Sequence, residues 1–182
     1  MLFPRTAACL VLSALVSSVS SYFVVTDPAL NDQWANGDTR AVSWVKGVND
    51  GVTSFDLEMS QLTTDGLTLI AKNVPSGDSS QKSINIQLQD VPPGDDYFLL
   101  FINSTNGAMY ATSPRFTVLA SGGTSNGTTT TNAKAATVTV SGAPNPTAPW
   151  ATTFAIATSA ASRPTFAGLS TLLLAAVWTL LW

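Results

Sequence analysis

Apolar residues that alternate with period two, turn signals between the alternating runs, and no stretch of helical periodicity predict an all-β fold for this 182-residue chain. The number and spacing of the runs fit an immunoglobulin-like β-sandwich of about seven strands. A disordered Ser/Thr-rich stalk is expected to follow it.

The elements come in order. Phe23 to Val25 and Ala41 to Val45 are short apolar runs. Phe55, Leu57 and Met59 then alternate with Ser54, Asp56 and Glu58, which predicts a half-buried strand. Leu67 to Ala71 supplies another run, and Ile84, Ile86 and Leu88 alternate with Ser83, Asn85 and Gln87. Tyr97 to Ile102 is apolar at every position, the pattern of a central strand. Phe116 and Val118, alternating with Arg115 and Thr117, close the series. Asn36-Gly37, Asn49-Asp50-Gly51, Asp65-Gly66, Ser76-Gly77-Asp78, Pro92-Pro93-Gly94 and Asn106-Gly107 are the turns between them. Trp44 is expected at the centre of the core.

The two ends read as addresses. Met1 to Ser20 has Arg5 near its start, an apolar stretch from Ala7 to Val16, and small residues at Ser18 and Ser20, the layout of a secretory signal covering 1–20. From Ala167 the chain is almost continuously apolar, and no Lys or Arg follows to hold a membrane span. Small residues at 157–162, a short spacer and this tail form the pattern of a glycosylphosphatidylinositol (GPI) signal, with Ser159 as the best attachment residue, Ala160 and Ala161 as the neighbouring alternatives, and 160–182 removed after Ser159. A tail-anchored or single-pass helix is the alternative.

Charge and residue types exclude several functions. All 11 acidic residues lie between Asp27 and Asp96, so the domain at 21–119 is acidic and has no basic face for nucleic acid. There is no histidine, and the one cysteine, Cys9, falls inside the signal. Disulfides, the usual zinc sites and Ser-His or Cys-His nucleophile systems are therefore excluded from the mature protein. We expect no cofactor, no metal and no catalytic residue. Between Ala120 and Ser162 the one charge is Lys134, amid Ser, Thr, Gly and Pro, and 120–159 reads as an O-glycosylated stalk without a core of its own.

The order of several short motifs resembles a known fungal family. Val25-Thr26-Asp27-Pro28 opens the domain, and Trp34 with Asn36-Gly37, then Val42-Ser43-Trp44, follow. Asp56-Leu57-Glu58-Met59, Pro92-Pro93-Gly94 before Tyr97, and Ser113-Pro114-Arg115-Phe116-Thr117-Val118 complete it. This is similar to the N-terminal Ig-like domain of the yeast cell-wall-synthesis family (killer-toxin resistance, β-1,6-glucan assembly), found in Ser/Thr-rich GPI-anchored proteins. The resemblance implies a cell-surface or wall protein linked to glucan organisation, with no enzymatic activity established for the domain type. Cell-wall β-glucan is a candidate partner, and the plasma membrane is reached through the GPI lipid.

Few residues are candidates for chemistry. Asn103 and Asn126 stand in Asn-x-Ser/Thr sequons and are expected to carry N-glycans. Trp34, flanked by polar residues, is a candidate glycan contact through its ring face. Asp27, Asp32, Asp38, Asp95 and Asp96 could supply a carboxylate pair for glycoside hydrolysis or oxygens for calcium, but Asp also belongs in turns. Three function classes remain: a non-catalytic wall or surface protein, which we favour, a β-glucan-binding module on a stalk, and a carboxylate-dependent glycosidase.

Overall fold

In the computed structural model, which describes residues 23–47, 51–78, 80–126 and 131–156, each alternating run named above lies within a strand. The strands are β1 (Phe23–Asp27), β2 (Asp32–Ala35), β3 (Thr39–Lys46), β4 (Ser54–Gln61), β5 (Thr64–Pro75), β6 (Lys82–Gln89), β7 (Gly94–Asn103), β8 (Ala108–Thr112), β9 (Phe116–Leu119), β10 (Thr137–Ser141) and β11 (Thr152–Thr153). Among the described residues there is no helix, and so none long and apolar enough to cross a membrane.

Two sheets face each other. One runs β1-β3-β6-β10, the other β11-β5-β4-β7-β9-β2, with β8 also paired to β7. The chain changes sheets between β1, antiparallel to β3, and β2, parallel to β9. Asn31, at a φ of 66°, makes that corner, and its N–H donates to the Arg115 carbonyl at 2.9 Å. An Asn tolerates this left-handed conformation better than most residues because its short polar side chain bonds locally.

The inner faces meet over aromatic rings. Trp44, 2 % exposed, stands edge-on to Phe55 with centroids 5.1 Å apart, and Phe55 stacks on Phe101 at 4.7 Å. Phe23 packs against Phe55 at 5.2 Å. Such pairs contribute about 0.5–1.5 kcal/mol each beyond the area they bury. The Trp44 indole N–H donates to the Ser76 carbonyl at 3.0 Å, so the large ring is buried without leaving its polar atom unpaired. Tyr97, Leu99 and Phe101 of β7 point into this core, while Phe98, Leu100 and Ile102 on its other face stay half-buried.

Two expectations change. The described residues hold eleven strands rather than about seven, and the segment 120–159 is not a disordered stalk as far as it is described. The reason is visible in Thr137-Val138-Thr139-Val140-Ser141, a period-two run amid Ser/Thr composition. β10 lies parallel to β6, with Val138 and Val140 each 1 % exposed and the intervening hydroxyl residues outward. Asn85 clamps the approach: its Oδ1 accepts the Asn132 N–H at 3.0 Å, and its Nδ2 donates to the carbonyls of Asn132 at 2.9 Å and Ala135 at 3.2 Å. Residues 121–126 cover the free edge of β2, where Ser125 Oγ and Asn126 Oδ1 accept the N–H groups of Ala35 at 2.8 Å and Gln33 at 2.6 Å. Gly66, at a φ of 122°, lets the chain pass, since a Cβ there would lie 2.9 Å from Pro144 Cβ.

Candidate functional site

The C-terminal segment does more than cover an edge. Where 132–136 crosses the end of β6 and Phe154 follows β11 along β5, they enclose a pocket of about 370 Å³ against the sandwich. Its apolar floor is Trp44, Val74, Ile84 and Phe154. The rim is polar: Gln81, Lys82 and Ser83 from the start of β6, Asn132 and Lys134 from the crossing segment. Local bonds fix that rim. Asn132 Nδ2 donates to Ser83 Oγ at 2.8 Å, and Asn132 Oδ1 accepts the Lys134 N–H at 3.0 Å, which shapes the turn that carries Lys134. Lys82 Nζ lies 3.1 Å from Asp78, whose carboxyl is held well below the usual range by two hydrogen bonds from Ser80 and by the ammonium of Lys82.

A second feature lies on the outer face of the larger sheet. Asp56 and Glu58 alternate with the core residues of β4 and are only 5 % exposed each. Asp56 accepts three hydrogen bonds, from the Asn73 N–H at 2.8 Å and from the Ser104 N–H and hydroxyl at 3.0 and 2.5 Å. Glu58 has none among the described residues and sits in register between Leu69 of β5 and Leu100 of β7. Burial by these neighbours, and then the charge of Asp56, push its pKa above the usual carboxylate value.

Trp34 requires a correction. It is 1 % exposed, and its ring packs on Phe116 at 4.4 Å, so no face is available to a sugar. The polar residues beside it suggested exposure, but β2 is a strand whose alternate side chains point inward, and the indole went with them. Its N–H finds no acceptor among the described residues.

The acidic candidates are dispersed among structural duties. Asp32 Oδ2 accepts the Ala29 N–H at 2.9 Å and closes the turn before β2. Asp38 accepts the Ser125 hydroxyl and lies 3.6 Å from Arg40. Asp95 accepts from the Thr117 hydroxyl at 2.8 Å, and Asp96 pairs with Arg115 at 3.1 Å, beside a small cleft of about 170 Å³. Asp27 ends β1. Among the described residues no group of three or more acidic, Cys or His side chains is placed to hold a metal.

Of the sequons, Asn126 is exposed, and Asn103 is half-buried at the end of β7, where its Oδ1 accepts the Thr105 N–H at 3.0 Å. Ser159, the signal at 1–20 and the tail at 160–182 lie outside the described residues. The pocket itself was missed by sequence reasoning, because five of its thirteen lining residues come from the segment read as a stalk. The usable signal was the alternation at 137–141 together with Trp150 and Phe154, aromatic residues out of place in a solvated linker.

No curated protein and no solved structure matches the chain. A family model, the Kre9/KNH-like N-terminal Ig-like domain, matches residues 27–118, just over half of the 182 residues and nearly all of β1 to β9. The family is associated with cell-wall glucan synthesis and is not a known enzyme family. Because the match covers more than half of the chain, with β2 to β8 entire, the last residue of β1 and all but the last of β9, this chain belongs to the Kre9/KNH-like Ig-like domain family.

Proposed function

We propose that this chain is a non-catalytic, GPI-anchored protein of the cell surface or cell wall that contributes to wall organisation. The non-catalytic part rests on one observation: Asp32, Asp38, Asp56, Asp95 and Asp96 each hold a backbone N–H, a hydroxyl or an arginine of the fold. Carboxylates engaged in this way keep turns and strand ends in place, and a glycosidase needs two of them facing each other across a sugar-sized gap. The surface location rests on the family, on the signal at 1–20 and on the small residues, spacer and apolar tail after Ile156. The Asx turn at Asn103 and the exposure of Asn126 support N-glycosylation at both.

The full chain is expected to release no reducing sugar from β-1,3- or β-1,6-glucan. Release that Asp95→Asn or Asp32→Asn abolishes would place it among the glycosidases. Phosphatidylinositol-specific phospholipase C is expected to free it from membranes, with Ser159 as the modified residue. Retention beside released GPI-anchored controls would favour a spanning tail.

A β-glucan-binding role is the second reading. It is favoured by the half-exposed stripe of Phe98, Leu100 and Ile102 on the outer face of β7, not by Trp34. Retention of the full chain on insoluble β-glucan, lost in Phe98→Ala, would select it over the purely structural reading.

A further inference from the structure

The pocket between the family domain and the C-terminal segment differs in charge from its surroundings. The chain carries 11 acidic against 8 basic residues, yet no lining residue of this pocket is acidic and two are lysines. Lys82 shares its charge with Asp78 on the outside. Lys134 makes no ion pair among the described residues, although a hydrogen bond to Asn132 fixes its backbone at the rim. The remaining rim groups, the amides of Gln81 and Asn132 and the hydroxyl of Ser83, can both donate and accept. Beneath them the floor is apolar and partly aromatic. Its size, about 370 Å³, lies within the range of small-molecule sites.

We propose that this pocket binds a hexose-sized ring carrying one anionic group, a phosphate or a carboxylate. The ring's C–H face covers Phe154 and Pro75, its hydroxyls meet Gln81, Ser83 and Asn132, and the anion meets Lys134 with Lys82 beside it. Each half of the ligand is required by a half of the site. A neutral sugar leaves Lys134 without a counter-charge, and a bare anion leaves the apolar part of the lining wet. The proposal is independent of the glucan-binding reading above, which concerns a neutral polymer and another face of the sandwich.

Titration calorimetry on the purified full chain tests it with four probes: glucose 6-phosphate, glucuronate, glucose and inorganic phosphate. Glucose 6-phosphate or glucuronate is expected to bind, about tenfold or more tighter than glucose and than phosphate alone, since one charge-assisted hydrogen bond is worth roughly that factor. Lys134→Gln, at an exposed position that should not disturb folding, is expected to remove that advantage while leaving the β spectrum in circular dichroism unchanged. Phe154→Ala should weaken both anionic sugars and leave phosphate unaffected. Equal binding of glucose, equal binding of phosphate, no binding of either anionic sugar, or affinity unchanged in Lys134→Gln would each overturn the proposal.

Discussion

The span matched by the family and the segment that follows it obey the same period-two rule with different materials. In residues 27–118 the buried positions are large: Trp34, Trp44, Phe55, Tyr97, Phe101 and Phe116. In 131–156 they are two valines, flanked by Thr and Ser. The first region pairs mostly antiparallel, β4 with β5 and β7, β3 with β1 and β6, and can build a core from its own two sheets. The second adds β10 and β11 parallel to strands already made, and has nothing to bury its valines against except that prior sandwich. The difference shows that a segment too poor in apolar residues to fold alone can still be part of a fold. It needs only one inward face and a few side chains that accept its backbone.

Ending the chain after Leu119 tests this most severely. It removes Val138 and Val140, uncovers β6 and leaves Asn85 without its clamped partners. Burial of a valine contributes about 1.5–3 kcal/mol, so the expected loss is roughly 3–6 kcal/mol, much of a typical domain's stability of about 5–15 kcal/mol. Urea denaturation of the two chains measures it. A loss under about 1 kcal/mol would return the segment to the status of an appendage.

Within the matched span, Trp44→Ala is expected to cost about 3–5 kcal/mol, from lost transfer energy and the cavity left beside Phe55 and Phe101. The same denaturation series reads it. A cost near that of an exposed substitution would mean the sheets do not depend on this ring. Its size relative to the truncation shows which region contributes more.

The fold of the first region was legible because its signal was redundant. Alternation, turn residues and an apolar β7 all pointed the same way, and each run from Phe23 to Val118 became strand. β2 was missed because Asp32-Gln33-Trp34-Ala35 is too short and too polar to show a period, and with it went the burial of Trp34. β10 was missed for another reason. Composition averaged over a Ser/Thr-rich stretch concealed a five-residue alternation, and Asn85, the side chain that receives it, lies far upstream in β6. The pocket depended on that same long-range pairing, so no local pattern could have located it.

The clamp itself can be probed more finely. Asn85→Ala removes four side-chain hydrogen bonds to the C-terminal segment, the longest of them to the Thr137 hydroxyl, and leaves backbone groups of Asn132 and Ala135 to find water. A loss of about 1–3 kcal/mol is expected. Asn85→Asp keeps the acceptor and deletes the donors, so its cost divides the clamp into halves. Hydrogen exchange at Val138 and Val140 should accelerate in both variants while amides of β4 and β7 stay protected. Uniform acceleration would show that the two regions open as one unit.

The smallest expected effect concerns Glu58, on the outer face of the sheet. Burial, and then the neighbouring charge of Asp56, raise its pKa in the folded state above the unfolded value. Below the unfolded pKa both states are protonated, and the residue has no influence on the pH dependence. As pH rises past that value the unfolded chain releases the proton first, so stability falls, and the penalty is complete above the raised folded pKa. Glu58→Gln keeps the shape and removes the ionisation. Its stability should exceed that of the wild type at neutral pH, and the advantage should shrink as pH falls through the carboxylate range. Thermal melts at a series of pH values would show the two curves converging on the acid side. Parallel curves would mean that Glu58 ionises in the fold as freely as in the unfolded chain, and that the leucines beside it do not exclude water as their positions in β5 and β7 imply.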